Sequence, residues 1–447
     1  MAANPNPALP EPSGVRTFVR ALRHRNFRLY FSGQCVSLVG TWIQQIAMGW
    51  TVYQLTHSGL LLGVVGFAGQ LPVFLVAPLA GVLVDRHSRH RILLTTQSLA
   101  MLHALALASL AFSNHLNVWN IIALNVLAGI NIAVDLPTRQ SFLVEMVGNG
   151  PDLQNAVALN SLTVNGSRML GPAIAGLLLA AVTPAVCFLV NGLSFIAVLA
   201  ALLAMNLHPH ERRVNEGKRA HHELLEGIRY AFAFLPIRTL LMLVALMSLA
   251  GMSYSVLMPI FAAEIFHGGA HTLGFLMVAP GVGALAAALY LVSRKTILGS
   301  GNRIAIGAVA FGAGLAVFSV SRWLPLSFAA LMVAGWGIIV QLALCNTILQ
   351  TIVDDDKRGR VMSLYTMAFM GFAPFGSMLM GALSSRFGAP QAVFCGGVAC
   401  VVGGLYFATR LPALRPFIVP IYRRKGIIPE LARGLQAAAE CTRSPED

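Results

Sequence analysis

Charge is what this sequence has least of. Only 11% of its 447 residues are Asp, Glu, Lys or Arg, against about 25% in a soluble domain, so the chain cannot clothe a globular surface in charge. That excludes an ordinary soluble enzyme and a disordered tail protein. It also leaves no dense basic face of the kind nucleic acid requires, so no nucleic-acid partner is expected. Acidic residues are scarcest, 17 against 31 basic, for a net charge of +14. The six cysteines (Cys35, Cys187, Cys345, Cys395, Cys400 and Cys441) show neither paired nor metal-ligand spacing, and five lie in or beside apolar runs as small hydrophobes. The sequence lacks a phosphate-binding loop, a His-Glu-x-x-His zinc motif and a Gly-x-Ser-x-Gly nucleophile elbow. No cofactor, metal or catalytic residue is therefore expected, and the chain does not read as an enzyme.

What is present is apolar sequence, 56% of the chain. A helix crossing a bilayer needs roughly 20 apolar residues, and that ruler gives spans near 27–53, 59–84, 92–112, 118–137, 156–181 and 186–206. A second set follows near 239–263, 272–293, 304–321, 325–349, 361–384 and 391–410. Connections as short as Gln54 to Ser58 and Thr183 to Ala185 make consecutive spans antiparallel neighbours. The first run is too long for a cleaved signal peptide, and a second span follows at once.

The basic residues then acquire a place. With the N-terminus inside and sides alternating, 28 of the 31 Lys and Arg fall on the cytoplasmic side. Two, Arg322 and Arg386, fall opposite, and one, Arg168, lies within a span. The positive-inside rule puts both termini of a multi-pass protein in the cytoplasm; a prokaryotic inner membrane is the expected location.

The longest and most charged connection divides six spans from six. The expected organisation is a cytoplasmic tail over 1–26, a six-helix bundle over 27–206, a linker over 207–237, a second bundle over 238–410 and a cytoplasmic tail over 411–447. Within the linker, His222 to Tyr230 has apolar residues at helical spacing, which fits an amphipathic helix on the cytoplasmic face; a solvated linker is the alternative. Asp152 and Asp354 each precede a span that holds a proline, Pro172 or Pro374, and both pairs are 202 residues apart, as a parallel duplication would leave them. In the last tail, Arg423-Arg424-Lys425 suits attraction to anionic lipid.

The loop after the second span reads Gly81-Val82-Leu83-Val84-Asp85-Arg86-His87-Ser88-Arg89-His90-Arg91. Glycine permits close helix contact, aspartate caps the next turn, and the arginines stay cytoplasmic. These residues resemble the cytoplasmic signature of the major facilitator superfamily, Gly-x-x-x-Asp-Arg-x-Gly-Arg-Arg, departing from it at Ser88 and His90. Further blocks carry the resemblance across nearly the whole chain. They are Thr41-Trp42-Ile43-Gln44, Asp135-Leu136-Pro137-Thr138-Arg139, Asn155 to Ser161 and Arg358-Gly359-Arg360, with Gly371 to Gly376. Together they look like the enterobactin-exporter-like branch.

That resemblance implies an all-α integral membrane protein with twelve transmembrane helices in two bundles. It implies a cytoplasmic gate built from Gly81, Asp85, Arg86, Arg89, Asp135, Arg139, Arg358 and Arg360. Gly171-Pro172, with Gly176, is similar to a degenerate antiporter motif and implies efflux, although a small-residue packing face would look the same. The expected function is secondary active transport by alternating access: proton-coupled efflux of a small amphiphilic siderophore, drug or secondary metabolite, by a monomer in the lipid bilayer. Import of a metabolite and a non-transporting receptor or scaffold are the alternatives.

A pathway needs polar groups on inward stripes. Gln34, Ser37, Thr41, Gln45 and Met48 fall within about 60° on a helical wheel, and lipid would not tolerate that stripe cheaply. Thr41 and Gln45 are expected to line a cavity, with Trp42 and Gln44 off the stripe; interhelical hydrogen bonding is the alternative. Tyr254 and Gln341 are pathway candidates for which helix packing serves equally well. Arg168, midway along the fifth span, costs ~2.5–3.5 kcal/mol there and calls for a watery cavity or a partner: Asp135, Asn131 or carbonyls near Pro172. If it faces the cavity, the substrate is anionic. No carboxylate lies mid-span, so the proton-coupling candidates are Asp135 at the inner end, Glu264 at the outer end, and His103.

Overall fold

In lipid every backbone polar group must be satisfied within the chain, and a helix does this locally. The computed structural model describes residues 20–148, 150–206, 229–294, 298–354 and 357–425. Among them the secondary structure is helical, with no strand. After a single 3-10 turn at Arg20–Arg23 come α1 (Arg25–Thr56), α2 (Gly59–Arg86), α3 (Arg89–Phe112), α4 (Val118–Val147), α5 (Pro151–Ala181) and α6 (Pro184–Leu203). The later helices are α7 (Leu235–Ile265), α8 (Ala270–Val292), α9 (Ser300–Val320), α10 (Leu324–Ile352), α11 (Arg358–Phe387) and α12 (Ala389–Arg424). Proline in the first turn opens α6, α7, α10 and α12, where its missing N–H has no helical partner to lose. Asn117 caps α4 by accepting from the Asn120 amide.

Ten of these helices are long and apolar enough to cross a membrane. The two that fall short, α1 and α5, are among the longest, at 32 and 31 residues; what they lack is apolarity. They are also the helices that bear the polar stripe of the first span and Arg168.

Two helices outrun the spans expected from hydropathy. α4 continues ten residues past 137 to Val147, through Pro137, Arg139 and Glu145, and α12 continues past 410 to Arg424 with three internal prolines. A hydropathy ruler measures the apolar slab, and a helix need not stop where the slab does. The expected linker helix lies mostly outside the described residues, as does the tail beyond 425.

The described residues fall into two compact units. One is drawn from Met1–Thr51 and Leu75–Asn215, the other from Val52–Phe74 and Glu216–Asp447. In the first, Phe27, Tyr30, Leu93, Phe142, Phe195 and Leu202 form a buried apolar cluster. In the second, α7 and α11 are both interrupted by π-turns, at Met247–Gly251 and Met367–Gly371. Such a turn displaces a carbonyl from the helical ladder, and Ser248 Oγ donates to the Phe369 carbonyl at 2.5 Å. The segment 52–74 joins this second unit, with Phe67 and Phe74 both edge-on to Phe375 and Gln70 Nε2 donating to Ser377 Oγ at 3.5 Å.

Candidate functional site

In the first unit a buried carboxylate organises three helices. Thr96 and Gln97, consecutive on α3, both donate to Asp135 Oδ1 at 2.7 Å. One turn along α4, Arg139 Nε stands 2.5 Å from Asp135 Oδ2, and Arg139 Nη1 donates to Gln34 Oε1 on α1 at 2.8 Å. Asn131 is committed to the same knot, donating to the Thr96 carbonyl at 2.9 Å. Beside it Arg89 pairs with Glu145 at 2.6 Å. Gate candidates Asp135, Arg139 and Arg89 are thus tied into fixed ion pairs, and Gln34, 2% exposed, sits in this network. Arg86 is exposed, and nothing lies within 4 Å of where a Gly81 Cβ would stand. The Asp85 side chain lies outside the described residues.

Midway along the same unit a neutral cluster crosses α1, α3 and α6. Asn191 Nδ2 donates to Gln44 Oε1 at 2.8 Å, and Gln44 Nε2 lies 3.4 Å from His103 Nδ1. His103 Nε2 is buried and has no hydrogen-bond partner. Gln44, off the polar stripe of the sequence, is therefore the residue that joins His103 to the rest of the unit.

Thr41 and Gln45 are exposed on α1, whereas Gln34 and Ser37 of the same stripe are buried. Arg168 on α5 is exposed as well, with its guanidinium over the Trp42 ring, 5.8 Å from the ring centre. Neither expected side-chain partner reaches it: Asp135 is taken by Arg139, and Asn131 by the Thr96 carbonyl. Its neighbour is aromatic, and attraction to the ring face replaces an ion pair.

Gly171 makes the approach possible, since a Cβ there would fall 2.3 Å from Trp42 Cβ. On a helical wheel the exposed Ser161 and Asn165 share the Arg168 side of α5, with Val157 and Val164, whereas exposed Leu170 and Leu177 project about opposite. Pro172 and Gly176 are buried on α5.

The second unit treats its candidates differently. Gln341 is fully buried, its amide 3.4 Å from Cys345 Sγ, and Tyr254 is buried. Glu264 is exposed and accepts a hydrogen bond from Tyr53 Oη at 3.0 Å. Arg358 and Arg360 open α11, both half-buried.

Sequence reasoning missed one cluster altogether. Asp152, in the first turn of α5, lies 2.6 Å from Arg20 Nε and 3.0 Å from His24 Nε2, and Asn155 Oδ1 accepts from the Ala21 amide at 2.8 Å. The hydrogen bond with His24 and the charges of Arg20 and Arg23 hold the Asp152 carboxyl below the usual carboxylate range. No group of three or more His, Cys, Asp or Glu able to hold a metal occurs among the described residues.

A family described as transmembrane secretion effector matches residues 17–417. The chain is 28% identical over 386 residues to a staphyloferrin A transporter of Staphylococcus aureus, covering 86% of this chain and 96% of that protein. It is 25% identical over 386 residues to the multidrug efflux pump Tap of Mycolicibacterium fortuitum, covering 84% and 93%. It is 24% identical over 402 residues to the enterobactin exporter EntS of Citrobacter koseri, covering 89% and 94%. Among solved structures, a peptide transporter, POT, superposes with a TM-score of 0.71 at 13% identity over 88% of this chain and 95% of that one, a likeness of fold.

Proposed function

The chain belongs to the transmembrane secretion effector family of the major facilitator superfamily and is a multi-pass membrane transporter, not an enzyme; from that premise we propose proton-coupled efflux of a small amphiphilic compound by alternating access. The proposed frame is twelve transmembrane helices in two bundles, over 27–206 and 238–410, acting as a monomer in the inner membrane of a prokaryote. Both termini are cytoplasmic on this reading, because 28 of 31 basic residues then lie inside as the positive-inside rule requires.

The observation that carries the reading is the exposed face of α1 and α5. These are the two long helices too polar to cross lipid on composition alone, and they expose Thr41, Gln45, Ser161, Asn165 and Arg168. Polar groups at that depth are stable only against water or protein, so this face borders an aqueous path. Val157 and Val164 beside them make it amphiphilic, which suits an amphiphilic cargo. The named relatives move siderophores or drugs, and efflux agrees with the Gly171-Pro172 element.

His103 is the proton carrier on this reading. Asp135 is committed to Arg139, Thr96 and Gln97, and Glu264 stands at the outer end hydrogen-bonded to Tyr53, whereas His103 at mid-depth meets the neutral Gln44, so its Nδ1 is the atom that would take the proton on this reading. On this reading Asp135, Arg139 and Arg89 are the gate residues of the first unit, and Arg358 and Arg360 those of the second.

A strain lacking the protein tests the cargo. Retention of a siderophore or other secondary metabolite in the cell, or lowered tolerance to amphiphilic drugs, is expected. Depletion of an external nutrient from the cell instead would establish import.

A further inference from the structure

We propose that Arg168, held on the Trp42 ring, is the point at which the transported amphiphile is recognised by a carboxylate or comparable oxyanion. This rests on the transporter reading and names the class of its cargo.

The first argument is a balance of charge. Three carboxylates have described side chains in the first unit, and each is already paired with a different base. Asp135 is with Arg139, Glu145 with Arg89, and Asp152 with Arg20 and His24. Arg168 is the mid-helix base left over, and its guanidinium lies over an aromatic face. A centrally placed arginine is costly, and a ring offsets only part of that cost. The remaining demand is for an anion that the described carboxylates of the first unit do not supply.

The second argument is geometry. A contact with the indole face uses no N–H of the guanidinium, whose fork presents paired donors that match a carboxylate. The contact is built in, because Gly171 lets Trp42 lie directly against α5. The third argument is the surroundings. Asn165 uses its amide nitrogen on the Ser161 carbonyl at 2.9 Å, while Val157 and Val164 on the same side are 46% and 42% exposed. A cation beside apolar surface fits an amphiphile with an acidic head. Since Leu170 and Leu177 mark the opposite, lipid-compatible side of α5, Arg168 is directed away from the acyl chains.

The test is binding of dansylamino-undecanoic acid and of its methyl ester to the purified full-length protein in phosphatidylcholine nanodiscs, followed by fluorescence. The acid is expected to bind the wild type about tenfold or more tightly than the ester, as a charge-assisted hydrogen bond implies. Arg168→Gln should abolish that preference, and a wild-type elution profile and thermal unfolding midpoint report that the variant is folded. Should Arg168→Gln fail to fold, Arg168→Lys, which keeps charge but not the fork, should reduce the preference without removing it. Equal binding of acid and ester by the wild type, or a preference unaltered in both variants, overturns the proposal. Repeating the titration in phosphatidylglycerol distinguishes the source of the anion. A preference that survives assigns the site to cargo; one that vanishes gives the site to lipid headgroups and overturns its assignment to cargo. Efflux without anion preference would leave the transport reading standing and remove this one, whereas anion binding without any flux would do the reverse.

Discussion

Asn191 on α6 gives its side-chain amide to Gln44 Oε1 on α1 at 2.8 Å, and this fixes what Gln44 can offer His103. With its oxygen occupied, Gln44 presents its NH₂ group to His103 Nδ1. A proton arriving on Nδ1 would set donor against donor, so charging His103 requires either the Gln44–His103 contact to break or the Gln44 amide to turn over, which would break its bond with Asn191. Protonation is thereby linked to the contact between α1, α3 and α6. Replacing His103 by Ala is expected to lower pH-gradient-driven flux about tenfold or more, on the scale of a lost proton-transfer group. Exchange of labelled for unlabelled cargo at equal pH should persist. Gradient-driven flux at the wild-type level would remove His103 from the coupling.

The inner network predicts a stability effect. Asp135→Asn leaves Arg139 without its counter-charge where both side chains are largely buried, a change that costs about 3–5 kcal/mol. The expected result is a clear fall in the thermal unfolding midpoint in detergent, partly recovered in the double variant with Arg139→Gln. No fall would mean that the pair is not formed.

Two glycines on α5 should respond in opposite directions. An alanine methyl at Gly171 would meet Trp42 Cβ at 2.3 Å, and because that atom is anchored to the backbone, the helices must part. A loss of about 1–3 kcal/mol is expected. At Gly166 nothing lies within 4 Å, so Gly166→Ala should raise stability by about 0.5–1 kcal/mol through helix propensity alone. Parallel melting curves of the two variants decide it.

The Asp152 cluster predicts a dependence on pH with a definite sign. Its carboxyl is held below the usual range, chiefly by the hydrogen bond with His24, so the tie is complete at neutral pH and is lost as pH falls through the folded-state value. That window lies below about pH 4. Hydrogen-exchange protection of the Ala21 amide, which donates to Asn155, should drop in that window for the wild type and be low throughout for Asp152→Asn. Unchanged protection in the variant would show that Asn155 alone holds the turn.

Legibility in the sequence followed the physics of each signal. The spans could be found because lipid imposes one coarse rule, and the helices begin within a few residues of the expected starts. The ends of α4 and α12 could not, since Arg139, Glu145 and the prolines of α12 mark the edge of the apolar slab and not the edge of the helix. Thr41 and Gln45 on the α1 stripe are exposed, whereas Gln34 and Ser37 on the same stripe are buried. Gln34 meets Arg139 of α4, three helices further along the chain, and no local pattern announces a partner at that distance. The contact of Arg168 with Trp42 has no signal in α1 alone, because Gly171 on α5 is what brings the ring close.

Proton-coupled efflux is the central claim, and purified protein in liposomes loaded with a pH-sensitive dye tests it most directly. Adding the metabolite or drug that the deletion strain identifies should move protons across the bilayer in the direction opposite to the cargo, in proportion to flux, with the response lost in His103→Ala. Saturable cargo movement with no proton signal, or protons and cargo moving the same way, would contradict it.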